Sequence, residues 1–396
     1  FGLRDYKGGR PPRPKSNTAP VIDTTPFNPG LWRVTVSKLK LEQSRFFLDD
    51  PDTKADGPGL FDETHMDVTG IDLDVRDAVI KGDTLTADLR LLRGRERCGL
   101  EIKKMKAKVK VSPNIAECKE LLLQTGNSTL TNYYAMRYER FPDFTDYITK
   151  VIMVGNLEQS EVGMQDIVYF APDLARFKNI SVRVSGKGRG TVDKLKVTDL
   201  ALNDGLTQVK GDLYMNGLPE IESTFIDFQK GEVRTNGAAA FLYVPELRKQ
   251  TAVDLGSLSN VVVTGRFTGF ISDFVTYGTL QSNLGNAKAD LHLKFPAKAL
   301  PSYSGSLATD NMDVGRLFKL GFMGKVSLDA SVKGHGFDAA TASVDVDGTV
   351  KAIELNGYNY HNLKVDGNLQ AKKFDGQLSA RDPNLVMDFD GKIDFT

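Results

Sequence analysis

The amino-acid sequence predicts an all-β fold, an elongated antiparallel sheet with a few short helices, from three observations. From Trp32 almost to the end of the chain, apolar and polar residues alternate with a period of two, which on a strand places the apolar side chains on one face. Glycines interrupt this alternation without shifting its phase. Helical spacing is confined to three short stretches, of which the first two are interrupted by proline: Asp166–Phe177, Ala238–Arg248 and Asp313–Leu320.

In chain order, the first predicted element is a linker or loop over residues 1–30, because residues 7–30 are rich in Pro, Gly and small polar residues. A continuous β-body is predicted over residues 31–396, with possible subdivisions near 160–180 and 240–256. The sequence begins without Met and stops within a strand pattern, so we expect a longer polypeptide around it. Clear strands are predicted at 32–36, 71–75, 85–91, 105–111, 180–184, 287–295 and 385–395.

Four glycines that follow Asp are predicted to lie inside strands. Asp-Gly usually marks a two-residue hairpin, which would move the apolar positions from even to odd numbers or back. No such shift occurs at Gly348, Gly367, Gly376 or Gly391. We therefore expect these glycines on the apolar face in mid-strand. The shifts fall elsewhere, across 372–373 and 382–384, and predict turns there.

Two interpretations of these interior glycines remain open. Glycine inside a strand normally marks a bulge or a close approach of neighbouring backbones. Alternatively, if the apolar face lines a groove for a long ligand, a missing side chain leaves room for the chain of the ligand. The sequence is consistent with both interpretations.

Composition and motifs favour a protein without catalytic residues, metal or cofactor. Lys+Arg 51 balance Asp+Glu 51, which removes a general electrostatic attraction to nucleic acid. The four histidines, His65, His292, His335 and His361, lie far apart and are expected to be solvated strand residues, and the aspartates are expected to face solvent. The segment 186–190, GKGRG, is expected to be a hairpin turn before a strand at 191–198 rather than a phosphate loop. Cys98 and Cys118 give no support for a disulfide.

Six segments resemble the TamB family, the translocation and assembly module proteins within the AsmA-like group of bridge-type lipid transfer proteins. The resemblance covers most of residues 30–396 and is most specific after Leu328. The segments that carry it are Val168–Pro172, Val209–Pro219, Ser331–Phe337, Asn356–Gly367, Asp382–Leu385 and Phe389–Phe395.

The resemblance implies that the sheet curls into a long open hydrophobic groove, a repeating β-groove or β-taco. It implies a periplasmic protein, anchored in the inner membrane by a segment absent from this sequence. It further implies transport of phospholipid between the inner and outer membranes and a TamA-like outer-membrane assembly barrel as partner, contacted through regions outside this sequence.

We therefore predict a lipid conduit whose apolar face binds acyl chains. One alternative is a scaffold or chaperone for outer-membrane protein assembly, in which exposed strand edges template client strands. Another is a filled β-sandwich stalk with no room for lipid. The predicted lipid-binding residues are Val263, Phe267, Ile271, Leu291, Leu293, Val326, Leu328, Val332, Val344, Val346, Val365, Phe374, Leu378, Met387, Phe389 and Ile393.

Overall fold

The computed structural model describes residues 2–4, 32–243, 253–337, 341–370 and 373–394. It confirms the predicted all-β class, with 66% strand, 11% helix and an antiparallel sheet that is not closed. The chain divides into two compact units, Phe1–Val192 and Asp193–Thr396. The predicted linker, apart from a three-residue strand at Gly2–Arg4, lies outside the described residues.

The first unit is an antiparallel meander in which each strand from β2 to β9 pairs with the next along the chain. Only β1 departs from this order, because it pairs in parallel with the end of β2. The strands are β1 (Gly2–Arg4), β2 (Arg33–Asp49), β3 (His65–Lys81), β4 (Thr84–Glu96), β5 (Glu101–Ser112), β6 (Ile115–Thr125), β7 (Thr129–Arg137), β8 (Ile152–Gly163) and β9 (Ser181–Gly190).

The second unit is also a meander, in which every strand pairs antiparallel with its sequence neighbour. The predicted turn at 382–384 is confirmed, because β20 ends at Asp382 and β21 begins at Leu385. The turn predicted at 372–373 lies partly outside the described residues, and Lys373 already belongs to β20. The strands are β10 (Lys194–Asn203), β11 (Gln208–Asn216), β12 (Phe225–Thr235), β13 (Val261–Phe270), β14 (Asp273–Ser282), β15 (Gly285–Lys294), β16 (Ser302–Asp313), β17 (Met323–His335), β18 (Ser343–Leu355), β19 (Tyr358–Gln370), β20 (Lys373–Asp382) and β21 (Leu385–Asp394).

Short helices occupy the connections between strands, as the sequence predicts at three places. Pro172 divides the first of them into an α-helix and a 3-10 turn, because proline cannot donate the hydrogen bond that would continue the helix. The second is described only as far as Tyr243. The helices are α1 (Tyr147–Lys150), α2 (Met164–Val168), α3 (Gly237–Tyr243) and α4 (Val314–Phe318), with 3-10 turns at Phe141–Asp146, Pro172–Phe177, Ile221–Ser223 and Leu255–Ser257.

The expected hairpin at GKGRG is wrong. These residues form the end of β9, where Gly186, Gly188 and Gly190 pair with Leu157, Gly155 and Met153 of β8. The next strand begins at Lys194 rather than at residue 191. A Gly-x-Gly-x-Gly run can therefore continue a strand, since its alternate residues share one face just as apolar residues do.

Close backbone approach explains most interior glycines of the second unit, although a Cβ on Gly391 would meet only the ring of Phe389, at 3.4 Å. A Cβ on Gly265 would overlap the carbonyl oxygen of Tyr277 on β14, and a Cβ on Gly376 would overlap that of Asp366 on β19. Both glycines also have positive φ, at 154° and 152°, which other residues rarely adopt. At these positions, glycine is required by the neighbouring strand rather than by the space for a ligand.

Candidate functional site

The cross-strand register brings the predicted lipid-binding residues onto one face of the second unit. Directly paired residues of an antiparallel sheet point to the same side. Val332 pairs with Val346, and the chain of pairs Val365–Leu378–Phe389 crosses three further strands. The remaining predicted residues within β13–β21 follow the same register. Ile271 alone lies outside a strand, in the turn after β13.

The opposite face of the same strands is polar. Lys373 forms an ion pair with Asp394 at 3.2 Å, and Lys392 forms one with Asp375 at 3.1 Å, in both cases between directly opposed residues of β20 and β21. Ion pairs between exposed side chains add little stability. They show that one face of the sheet is polar and exposed to solvent, whereas the other face carries apolar side chains.

The apolar face is the more shielded of the two. Along β21, half-buried and exposed residues alternate over the whole strand. On neighbouring strands, the side chain of Asp388 on the polar face is 72% exposed, whereas Phe374 on the apolar face is 6% exposed. Within this unit, each strand lies against its neighbours in the sheet, and α4 lies against β17.

One end of the apolar face is covered by short helices. The N–H of Asp254, at the start of the second 3-10 turn of the unit, donates to the carbonyl of Leu317 in α4 at 2.7 Å. The N–H of Asp313 donates to the carbonyl of Leu284 in the β14–β15 turn, also at 2.7 Å. Leu284 is only 4% exposed, and Val261, Met312 and Val326 nearby are buried too. This capped end thus resembles the core of an ordinary domain.

The other end of the apolar face carries a row of aromatic rings. The centroids of Phe267 and Phe274 are 4.6 Å apart, those of Phe274 and Phe295 6.0 Å, and those of Phe295 and Phe337 6.4 Å. Tyr303 stacks on Phe337 at 5.3 Å. Phe295 is 40% exposed and Phe337 is exposed as well, so this aromatic end is open to solvent.

Four buried aspartates were not expected from the alternation, which predicted solvent-facing carboxylates. Asp62, Asp143, Asp166 and Asp382 are all buried. Asp166 accepts hydrogen bonds from Asn127 at 2.9 Å and Ser128 at 2.6 Å, and thereby joins α2 to the β6–β7 turn. The sequence signal that could have revealed them is their position at strand ends or in connections, where a carboxylate can accept backbone N–H groups.

Asp62 is the most extensively bonded of these carboxylates. It accepts from the N–H groups of Asp56 and Thr64, both at 2.9 Å, and from Arg97 at 3.1 Å. Burial alone would raise its pKa, but these hydrogen bonds and those from the Thr64 hydroxyl and His65 lower it well below the ordinary value. His65 lies 2.9 Å from Asp62 and is buried, so the expectation of a solvated His65 is wrong.

The buried carboxylates connect neighbouring segments of the chain through hydrogen bonds. Within the described ranges, no group of three or more His, Cys, Asp or Glu side chains is placed to hold a metal ion. Each buried aspartate is instead saturated by donors of the protein. The apolar face of the second unit therefore remains the candidate site.

Comparison with known proteins identifies no relative. No family model matches the chain, and neither the curated proteins nor the solved structures include a match. Among the residues that the structure describes, none of the helices has the length and apolar character needed to cross a bilayer.

Proposed function

We propose that the protein is a lipid conduit in which the apolar face of the second unit binds the acyl chains of phospholipids. The observation that carries this proposal is the register of apolar residues that runs across nine consecutive strands, β13 to β21, with bulges where β17 meets β16 and β18. At about 4.8 Å between strands, eight intervals correspond to roughly 40 Å of apolar surface. A surface of this extent, whose polar residues in mid-strand are threonines such as Thr276 and Thr309, suits a long apolar ligand.

The energetics favour movement along such a face. Exposing an acyl chain to water costs about 0.8 kcal/mol per methylene. A lipid that exchanges one strand of the face for the next keeps its methylenes covered at every step. Transport then needs no catalytic group and no cofactor, and the affinity for lipid need not be high at any one position.

The wider setting of the proposal rests on the resemblance of the sequence to the TamB family. In that setting, the conduit works in the periplasm between the inner and outer membranes. It is anchored in the inner membrane by a segment outside this sequence. A TamA-like outer-membrane assembly barrel is the partner, contacted by other parts of the protein.

Site-specific photo-crosslinking in cells tests the proposal. A crosslinker in place of Leu328, on the apolar face, is expected to capture phospholipid, and one in place of the exposed neighbour Asp329 is not. Equal yields at the two positions would contradict the assignment. Extraction of the purified chain with organic solvent, followed by mass spectrometry, gives an independent readout: absence of bound phospholipid would favour a structural stalk.

An exposed strand edge favours a second candidate function, a scaffold for outer-membrane protein assembly. Among the described residues, no strand pairs with the outer edge of β2 before Phe47, where β1 begins. Val34 and Val36 on this edge strand are exposed. An unpaired edge can accept a client strand, although lysines such as Lys38 oppose uncontrolled pairing. Crosslinks from Lys40 to nascent barrel proteins, with none to lipid from Leu328, would support this function instead.

A further inference from the structure

The two ends of the apolar face differ, and from this difference we infer a fixed orientation of the bound lipid. We propose that each phospholipid lies with its acyl chains along the strands, its chain ends toward the capped end and its headgroup at the aromatic end. This inference rests on the proposed lipid-binding function and adds to it the direction in which the bound lipid lies.

The length of the face along a strand matches one acyl chain. In β14, Phe274 and Leu280 lie on the apolar face, because they pair with Gly269 and Val263 of β13. Six residues at about 3.3 Å per residue separate them by roughly 20 Å. The hydrocarbon of one membrane leaflet is about 15 Å thick, half of the bilayer core. A chain can therefore extend from the aromatic end to the capped end without leaving the apolar face.

The capped end is unsuited to a headgroup. Leu284 and Met312 are buried there beneath the connection that contains α4. A phosphate in this position would lose its water without gaining hydrogen-bond donors, and burial of an unpaired charge is costly. Terminal methyl groups of an acyl chain carry no such penalty.

The aromatic end has the chemistry of a membrane interface. Tyr favours the boundary between hydrocarbon and water because its ring is apolar and its hydroxyl group is polar. The hydroxyl of Tyr303 has no hydrogen-bond partner among the described residues, and burial raises its pKa, so it is a neutral donor. Lys298 in the neighbouring β15–β16 connection is exposed and adds a positive charge that complements a phosphate.

Fluorescence quenching with labelled lipid tests the orientation. Trp32 is the single tryptophan of the chain, so Trp32→Phe gives a variant without tryptophan fluorescence. Into it we would place Phe274→Trp or Leu280→Trp, two reporters on the same strand and the same face. The purified full chain is then loaded with phosphatidylcholine that carries a nitroxide either on the headgroup or at the end of one acyl chain.

The expected result is an inversion of the quenching ratio between the two variants. In Phe274→Trp the headgroup nitroxide quenches more strongly, and in Leu280→Trp the chain-end nitroxide does. Phe295→Trp is a second reporter for the aromatic end, should Phe274→Trp perturb folding. Val275→Trp, on the exposed polar face, is the matched control and is expected to respond to neither label.

The other outcomes contradict either the orientation of the lipid alone or lipid binding as well. A reversed ratio, or the same ratio in both variants, overturns the orientation while lipid binding stands. Quenching of neither apolar-face variant by either label overturns the proposed function itself, and the orientation with it.

Discussion

The backbone N–H of Phe61 donates a hydrogen bond to the carbonyl oxygen of Tyr169 at 2.9 Å. It joins the β2–β3 connection to the β8–β9 connection. The same β8–β9 segment bonds the β6–β7 turn through Asp166 and places the ring of Tyr169 beside Gly99 in the β4–β5 turn. The β8–β9 segment thus contacts three other connections at one end of the first unit. Hydrogen bonds and the contact between the rings of Phe61 and Phe170, whose centroids are 5.0 Å apart, hold these connections together.

Asp62→Asn is expected to destabilise the first unit. The amide that replaces the carboxylate can accept fewer of the hydrogen bonds from Asp56, Thr64 and Arg97. Loss of satisfied buried hydrogen bonds costs on the order of 1–3 kcal/mol. Urea unfolding at pH 7 measures the loss. Asp329→Asn, at an exposed position of the second unit, is the control and is expected to leave the midpoint unchanged; an equal effect of both substitutions would refute the assignment.

The contribution of Asp62 is expected to depend on pH. Its pKa in the folded protein is lowered, and an aspartate in the unfolded chain has a pKa of about 3.9. A lowered folded-state pKa supplies stability above the unfolded-state pKa, and this stability is lost as the pH falls toward the folded-state value. The difference in unfolding free energy between the wild-type protein and Asp62→Asn should therefore narrow below about pH 4. A difference that is constant from pH 7 to pH 3 would contradict the role of the charge.

Gly265→Ala is expected to destabilise the second unit by about 1–3 kcal/mol or more. The added methyl group would meet the backbone of β14, and the positive φ of this residue would strain any side chain. Thermal or urea unfolding measures the effect. Gly155→Ala is the matched control, because a Cβ there meets only the edge of the Tyr134 ring at 4.0 Å. If Gly265→Ala reduced bound lipid at unchanged stability, glycine would instead serve to leave room for the ligand.

Cys98 is expected to react slowly with thiol reagents in the folded protein. Burial, together with the neighbouring Glu96, raises the pKa of this thiol to about 11. The reactive thiolate is therefore scarce at pH 8. Both cysteines are free, so full reaction of two thiols is expected once the chain is unfolded in urea without reductant. Fast reaction of both thiols in the native protein would contradict the burial of Cys98.

Val346→Glu is expected to reduce the phospholipid that copurifies with the protein. Val346 lies on the apolar face between Val332 and Gly367, and a carboxylate there would have to lose water whenever an acyl chain covers it. Mass spectrometry of solvent extracts measures the bound lipid per chain. Thr349→Glu introduces the same charge on the exposed polar face of the same strand and should leave the amount unchanged. Equal losses in the two variants would indicate a general effect of charge.

Strand content and the identity of the apolar face were largely predictable, because both follow from local periodicity. The phase of the alternation placed Gly348 and Gly376 inside strands and located the turn at 382–384, as the structure confirms. The hairpin predicted at Gly186–Gly190 is wrong, because these glycines continue the alternation of Val182 and Val184 within β9. The expectation of solvent-facing polar residues was a separate prediction. It failed for His65 and Asp62, whose burial depends on a connection and on Arg97, 35 residues further along the chain.

By itself, the sequence determined that this protein is built of strands with one apolar and one polar side, since a period of two acts on each strand separately. Only the tertiary structure decided that the apolar side is capped by helices at one end and lined by exposed aromatic rings at the other. Phe274, Phe295 and Phe337 become neighbours only when three different strand ends are brought together. The reason is physical: side-chain alternation is a local property, whereas the environment of a strand end depends on connections distant in sequence.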